Sequence, residues 1–145
     1  MKRILFSSFA LLALLSSCSP VKTATSTVDD GLISINLIQI NDVYEIAPLA
    51  AGTEGGMARV ATLKKKYLAE NPNTILLMAG DFLSPSVYNS LKYEGKSIRG
   101  KQMIEAMNAA GMDLAIFGNH EFDIKEAELQ DRINESRFQW ISSNT

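Results

Sequence analysis

Residues 113–123 read Asp-Leu-Ala-Ile-Phe-Gly-Asn-His-Glu-Phe-Asp. The apolar run at 113–117 predicts a buried strand, and polar side chains with ligand chemistry follow it at once. Among them is His120, the only histidine of the sequence. Open α/β sheets bind their ligands beyond the carboxyl ends of their strands. The stretch therefore predicts an α/β sheet with a functional site at its edge, although a single histidine taken alone is more often a structural loop residue.

The segments on either side of this stretch alternate between strand and helix patterns. Apolar and β-branched runs predict strands at residues 32–40, 74–79, 113–117 and 138–142. Helical spacing of apolar residues predicts helices at residues 57–69, 101–110 and 125–135. Residues 82–99 are predicted to be irregular, with one turn of helix. The resulting β-α-β-α-β-α-β order predicts an α/β fold with a largely parallel sheet and right-handed crossovers.

Two of these segments carry finer predictions about burial. The short apolar strand at residues 74–79 is predicted to be buried on both faces. In the first helix, residues 64–66 are consecutive lysines, which predict a solvated face. The apolar residues expected to pack against the core lie close to another face of that helix, namely Val60, Leu63, Tyr67 and Leu68.

Composition limits the class of protein. The chain has 145 residues, of which 46% are hydrophobic and 21% charged, so one globular domain with a single core is expected. The formal net charge of -2 offers no electrostatic reason to expect nucleic-acid binding. Composition predicts nothing about the oligomeric state.

The N-terminal region has the layout of a bacterial secretory signal. Lys2 and Arg3 precede an apolar stretch at residues 4–15, which is shorter than the roughly 20 residues that a membrane-spanning helix needs. Cys18, the only cysteine, follows Leu-Ser-Ser in a pattern that resembles the lipobox of bacterial lipoproteins. The alternative interpretation is an ordinary signal peptide with an incidental cysteine.

The lipoprotein interpretation divides the chain into three parts. Residues 1–17 would be the signal peptide, residues 18–31 a flexible tether rich in Ser, Thr and Val, and residues 32–145 the folded domain. Acyl chains on Cys18 would bind a membrane surface. This interpretation predicts a lipoprotein of the bacterial cell envelope, either in the periplasm or on the cell surface.

Three of the predicted strands are followed by a residue with an oxygen ligand. Asp42 and Asp81 come one or two residues after the first two strands, and Asn119 follows the third. Parallel strands end on one edge of a sheet, so we expect these side chains to converge. Two carboxylates in a partly buried site repel each other, and a divalent cation removes that cost. Each residue taken singly has a simpler interpretation as a turn residue, but their joint placement favours a metal site.

The same residues resemble the first three motifs of the calcineurin-like metallophosphoesterases. In chain order the matching stretches are Asn41-Asp42, then Gly80-Asp81 with Ser84 and Ser86, then Gly118-Asn119-His120-Glu121. Two stretches resemble the secreted 5′-nucleotidase and UDP-sugar hydrolase branch of this family. They are the longer motif at residues 118–123, which ends at Asp123, and Gly55-Gly56-Met57-Ala58-Arg59. The resemblance covers about residues 33–145. It implies a partial α/β/β/α metallophosphoesterase sandwich, of which this chain supplies only the first β-α-β-α-β-α-β half.

The resemblance implies a role for each motif residue. It implies Asp42 as a ligand of one metal ion, Asp81 as the carboxylate that bridges two ions, and Asn119 as a ligand of the second. Two divalent ions (zinc, manganese, cobalt or magnesium) would supply a metal-bound hydroxide that attacks a nucleotide or another phosphate ester. His120, oriented by Asp123, is implied as the catalytic imidazole that stabilises charge on the phosphoryl group or protonates the leaving oxygen.

The chain departs from the family pattern at Tyr44 and at Pro85, which stands where the second motif usually has glycine, and it lacks the family's later histidines. The first motif of this branch reads Asp-x-His, whereas residues 42–44 read Asp-Val-Tyr, so that Tyr44 is a substitute ligand, a pocket wall or the sign of a weakened metal position. The family also completes its site with later histidines, and none follows His120 here. We therefore expect a truncated domain with an incomplete second metal site, little activity by itself and an open choice of substrate. The alternative is a degenerate, surface-tethered domain that binds metal or nucleotide without turnover.

Overall fold

The computed structural model describes residues 30–143. The segment predicted to be a signal peptide, most of the predicted tether and Cys18 lie outside the described residues. In chain order the elements are β1 (Asn36–Ile40), α1 (Met57–Glu70), β2 (Thr74–Met78), the short strands β3 (Lys92–Tyr93) and β4 (Lys96–Ser97), α2 (Lys101–Ala110), β5 (Leu114–Ile116), α3 (Glu126–Glu135) and β6 (Gln139–Ile141). Across residues 30–143, no helix has the length and apolar character needed to span a membrane.

Four of the strands form one parallel sheet in the order β1-β2-β5-β6. β1 pairs with β2 from Asn36 opposite Thr74 to Ile40 opposite Met78, and β5 pairs with β2 on one side and β6 on the other. The predicted α/β class, parallel sheet and alternating order are confirmed. The stretch predicted to be irregular contains a short antiparallel hairpin of β3 and β4 in addition to its helical turn at Val87–Ser90.

β1 begins later than the sequence predicts, at Asn36 and not at residue 32. Its ladder with β2 starts where β2 starts, at Thr74, because the chain before Thr74 is a loop. Upstream of the ladder, the carbonyl of Ser34 accepts hydrogen bonds from the side-chain amides of Asn71 and Asn73, at 3.1 and 3.3 Å. Side chains therefore replace the strand pairing that would have extended β1.

The two faces of the sheet differ in burial. Leu76, Met78 and Ala115 are completely buried among the helices, whereas Leu37 on the opposite face is 69% exposed. The prediction that the second strand is buried on both faces is wrong, because Ile75 and Leu77 are only half-buried. The core lies on the covered face, and its other members are Met57, Phe82, Leu83, Met103, Ile104, Met107, Ala110, Met112, Ile124 and Phe138.

The predicted orientation of α1 is wrong at Lys64. This residue is 7% exposed, and its ammonium donates to the carbonyl of Thr74 at 2.8 Å and pairs with the Asp113 carboxylate. The helix presents this lysine to the starts of β2 and β5, where polar groups need a buried donor. Three of the apolar residues predicted to face the core are in consequence 38–46% exposed, namely Leu63, Tyr67 and Leu68.

Candidate active site

The predicted site residues lie in three loops that follow β1, β2 and β5. The Asp42 N–H donates to the carbonyl of Gly80 at 3.2 Å, and the His120 N–H donates to Asp81 Oδ1 at 2.9 Å. The ring of Tyr44 meets the imidazole of His120 edge-on, with 6.1 Å between the ring centroids. The structure therefore brings these three loops together at the carboxyl edge of the sheet.

The loops after β2 and β5 touch through two glycines. A Cβ on Gly80 would lie 2.7 Å from the backbone nitrogen of Gly118. A Cβ on Gly118 would overlap the carboxylate of Asp81, and it would lie 2.7 Å from the Asp81 backbone nitrogen. Real Cβ atoms do not approach other atoms this closely, so glycine at both positions allows the second and third motifs to approach each other.

Glu121 holds the same two loops from the inside. Its side chain is completely buried, at 0% exposure. Oε1 accepts the N–H groups of Phe82 at 2.8 Å and Leu83 at 3.1 Å, and Oε2 accepts those of Asp81 at 2.8 Å and Gly118 at 2.6 Å. Sequence reasoning placed Glu121 in a motif without a role. Its spacing is the signal that was missed, since a glutamate three residues after a helix N-cap commonly accepts the N–H of that residue.

His120 and Asp123 form a hydrogen-bonded pair within the helical turn Asn119–Asp123. His120 Nδ1 lies 2.6 Å from Asp123 Oδ2, and the two side chains are 36% and 50% exposed. The hydrogen bond with Asp123 raises the pKa of the imidazole, and the charges of Asp123, Asp81 and Glu121 add to this against a smaller opposing effect of desolvation. The pair therefore favours the protonated imidazole, which is the form that can stabilise or neutralise an anion.

The loop after β1 is held mainly by its own side chains. Asp42 has a left-handed backbone, with φ of +53°, and its carboxylate accepts the Asn41 amide at 2.5 Å and the Tyr44 hydroxyl at 3.1 Å. Partial burial, the hydrogen bond to Asp42 and the nearby negative charges raise the pKa of Tyr44 to about 12. The Tyr44 phenol is therefore protonated at neutral pH in the metal-free chain, and its hydroxyl donates to Asp42.

Tyr44 also lines a cavity of about 470 Å³ next to the candidate site. The cavity lies between the loop after β1 and the start of α1, and its wall is largely apolar. Side chains that contribute to the wall include Val43, Leu49, Met57 and Val60. Of the three sequence-based interpretations of Tyr44, this position favours the pocket wall.

The oxygen donors of the site suit a hard divalent cation, but they are only part of a ligand set. Asp81 uses Oδ1 to accept the His120 N–H, and no described residue donates to Asp81 Oδ2 or to the exposed Asn119 side chain. Both oxygens of Asp42 are engaged and would have to exchange a hydrogen bond for a metal ion. Within residues 30–143, no three or more His, Cys, Asp or Glu side chains are grouped so as to hold a metal ion.

Comparison with known proteins connects this geometry to a family. Residues 35–145 match the calcineurin-like phosphoesterases. A probable 5′-nucleotidase of Treponema pallidum is 30% identical over 125 residues, which are 79% of this chain and 20% of that protein. A snake venom 5′-nucleotidase of Gloydius brevicauda is 28% identical over 131 residues, 83% of this chain and 21% of the relative. The crystal structure of a 5′-nucleotidase precursor from Thermus thermophilus has a TM-score of 0.64 at 27% identity, covering 76% of this chain and 22% of that one.

The chain therefore belongs to the calcineurin-like phosphoesterases, whose members generally depend on two metal ions. Within that family it is similar to 5′-nucleotidases, both in sequence and in structure. These matches confirm the family resemblance and the fold class expected from the motifs. The chain spans about a fifth of the length of these relatives.

Proposed function

We propose that these residues form the N-terminal part of the active site of a lipid-anchored, metal-dependent phosphoesterase that hydrolyses nucleotides or related phosphate esters. The observation that supports this best is the meeting of three motif-bearing loops at one sheet edge, where His120 donates to Asp81 and the Asp42 loop bonds to Gly80. The substrate class is taken from relatives named as 5′-nucleotidases.

The proposed metal ligands are Asp42, Asp81 and Asn119, with Asp81 shared between two ions. Bound divalent ions would supply Lewis acidity toward the phosphoryl oxygens and would activate a water as the nucleophile. The sequence holds one histidine, so the 145 residues offer no imidazole ligand besides His120. We therefore expect the second metal position to be incomplete in this chain and hydrolysis by this chain alone to be weak.

His120 is the proposed acid of the reaction. Its imidazole is held at Nδ1 by Asp123, which leaves Nε2 as the atom that can meet substrate. A raised pKa keeps this imidazole protonated at higher pH than an ordinary histidine. His120 would then stabilise negative charge on the phosphoryl group or give its proton to the leaving oxygen, and Asp123 would stabilise the imidazolium.

Metal titration of the full chain tests the proposal. We expect Mn²⁺ binding by calorimetry, at least about tenfold weaker in Asp81→Asn, because that change removes an anionic oxygen from the ligand set. Asp131→Asn is the matched control: it makes the same change at an exposed position of α3 and is expected to leave the affinity unchanged. Equal Mn²⁺ binding by wild type and Asp81→Asn would rule out the proposed site. Where phosphatase activity with Mn²⁺ is measurable, His120→Ala should abolish it.

A second candidate function is a binding domain that has lost turnover. The observation that favours it is Tyr44, whose protonated phenol stands where the family has a histidine ligand. This function predicts Mn²⁺ binding, and binding of a nucleoside monophosphate in its presence, without hydrolysis even at millimolar metal. Release of phosphate that His120→Ala abolishes would exclude it.

Membrane attachment through Cys18 is a further part of the proposal. Its support is the lipobox-like sequence that ends at Cys18, directly after the apolar stretch at residues 4–15. Expressed in a bacterial host with a clickable palmitate analogue, the full chain should incorporate the label and pellet with membranes. Cys18→Ser should lose both properties, and labelling that persists in this variant would contradict the assignment.

A further inference from the structure

We propose that Glu121 is a positioning residue: it holds the Asp81 and Asn119 loops at the spacing that would let both side chains bind the same metal ion. The inference rests on the proposed metal site. It is carried by four backbone hydrogen bonds to one completely buried side chain. Glu121 is not proposed as a ligand, because both of its oxygens point to backbone donors.

The loop after β2 forms a concavity of N–H groups that Glu121 fills. Gly80 and Asp81 have left-handed backbones, with φ of +89° and +61°. Left-handed residues in a turn direct successive N–H groups to one side, a geometry that binds anions. Here the three N–H groups of residues 81–83 converge on the carboxylate of Glu121. The side chain thereby stabilises a loop conformation that is otherwise unfavourable for Asp81.

Glu121 contacts one proposed ligand directly and the residue that precedes another. Its Oε2 accepts from Asp81, the proposed bridging residue, and from Gly118, which directly precedes Asn119. In the opposite direction, the N–H of His120 in the β5 loop donates to Asp81 Oδ1 in the β2 loop. The two loops are therefore joined in both directions. Movement of Glu121 would shift Asp81 and Asn119 relative to each other.

The chemistry of the pocket explains why a carboxylate is needed. Four donors face the side chain, and a carboxylate accepts at both oxygens without donating. Glu121→Gln has nearly the same shape but places an NH₂ group against two N–H donors. Glu121→Asp keeps the carboxylate and shortens its reach by one methylene. Glu128→Gln is the matched control, because Glu128 also accepts a backbone N–H, that of Lys125 at 3.0 Å, but at the start of α3.

The test combines Mn²⁺ calorimetry with amide hydrogen exchange of the full-length, metal-free chain. We expect Glu121→Gln to weaken Mn²⁺ binding by about 10–100-fold and Glu121→Asp by less, as for residues that orient metal ligands. The N–H groups of Asp81, Phe82 and Gly118 should exchange at least about tenfold faster in Glu121→Gln, relative to amides of β2 and β5. Glu128→Gln should change neither quantity.

The outcomes separate this inference from the proposed function. An Mn²⁺ affinity of Glu121→Gln within twofold of wild type overturns the positioning role, as does unchanged exchange of the three amides. If Glu121→Gln does not fold, Glu121→Asp decides: weaker Mn²⁺ binding with folding retained supports the role, and wild-type affinity overturns it. If wild type itself binds no Mn²⁺, the proposed function fails, and so does the metal part of this inference. The exchange data then decide only whether Glu121 holds the two loops.

Discussion

The two candidate metal-binding aspartates share a backbone conformation but differ in how it is supported. Asp42 and Asp81 both follow parallel strands with left-handed φ values of +53° and +61°. Asp81 lies in the loop after β2, and the two residues that follow it, Phe82 and Leu83, are completely buried. The buried side chain of Glu121 accepts the Asp81 N–H. Asp42 is exposed, and the side chains that bond to it come from Asn41 and Tyr44 in its own loop.

This difference suggests where the site tolerates change. A loop fixed by buried hydrogen bonds and glycine contacts cannot accept new side chains without moving its neighbours. A loop held by exposed local contacts can exchange a side chain at little cost to stability. One departure from the family pattern, Tyr44 in place of a histidine ligand, falls in the second kind of loop. The half of the site around Asp42 is thus the half in which ligands can vary.

Gly118→Ala should have the largest effect. It changes the buried half of the site, which consists of the loops that carry Asp81 and Asn119. The new Cβ would overlap the Asp81 carboxylate and lie 2.7 Å from the Asp81 nitrogen, so the β2 and β5 loops must separate. We expect a loss of about 3 kcal/mol in the free energy of unfolding, at the upper end of overpacking effects. Urea unfolding followed by Trp140 fluorescence measures it, since this single tryptophan stacks on Phe117 at 4.6 Å.

Gly55→Ala is the control for this substitution. Gly55 lies in the connection that follows the Asp42 loop, and a Cβ there would meet nothing within 4 Å. Its φ of +62° still makes alanine unfavourable, so a cost of about 1 kcal/mol is expected from the backbone alone. Equal losses for Gly118→Ala and Gly55→Ala would show that the glycine contact does not constrain the two loops.

Alanine at each aspartate tests the comparison directly. Both Asp81→Ala and Asp42→Ala place alanine in the left-handed region, so this penalty cancels in the difference between them. Asp81→Ala also removes the acceptor of the His120 N–H, and we expect it to destabilise the fold by about 1–2 kcal/mol more than Asp42→Ala. Chemical unfolding of both variants measures the difference. If Asp42→Ala destabilised the fold more than Asp81→Ala, the loop of Asp42 and not the loop of Asp81 would be the more firmly held part of the site.

Much of the fold was predictable because local pattern and tertiary structure agree. α2 has its predicted bounds, with Gly111 ending it in a left-handed conformation, φ +73°. The order of strands along the chain followed from the apolar runs, and the polar residues Asp42, Asp81 and Asn119 come one or two residues after three of them. A parallel sheet then brings those ends to one edge without further information.

The errors arose where long-range contacts override local pattern. Lys64 belongs to a run of lysines, and only the acceptors Thr74 and Asp113, distant in sequence, explain its burial. The role of Glu121 depends likewise on N–H groups some 40 residues earlier. A sequence motif indicates which residues approach each other. The hydrogen bonds that hold those residues depend on loop conformations, which cannot be predicted from the spacing of apolar residues.

Replacement of Tyr44 should change metal affinity with little change in stability. Tyr44→His restores the Asp-x-His pattern and is expected to strengthen Mn²⁺ binding by about tenfold, because imidazole is a common metal ligand and a phenol must first lose its proton to bind. Tyr44→Phe is the control, since it keeps the ring in the pocket wall and removes only the hydrogen bond to Asp42. Calorimetry with both variants decides. If Tyr44→His binds no better than Tyr44→Phe, position 44 does not face the metal.

Asp123→Asn should have the smallest effect, confined to the protonation of His120. In the metal-free chain the hydrogen bond with Asp123 raises the His120 pKa, so the variant should lower it toward the ordinary value of 6.5. A raised pKa stabilises the fold fully below the unfolded value, and this contribution disappears as the pH rises through the folded value. Asp123→Asn should therefore weaken the pH dependence of the free energy of unfolding between the unfolded and folded pKa values of His120. Asp131→Asn should leave this pH dependence unchanged. The single histidine makes its NMR titration unambiguous. An unchanged pKa would mean that the exposed pair does not tune His120, leaving the charges on the buried half, Asp81 and Glu121, as the cause of the shift.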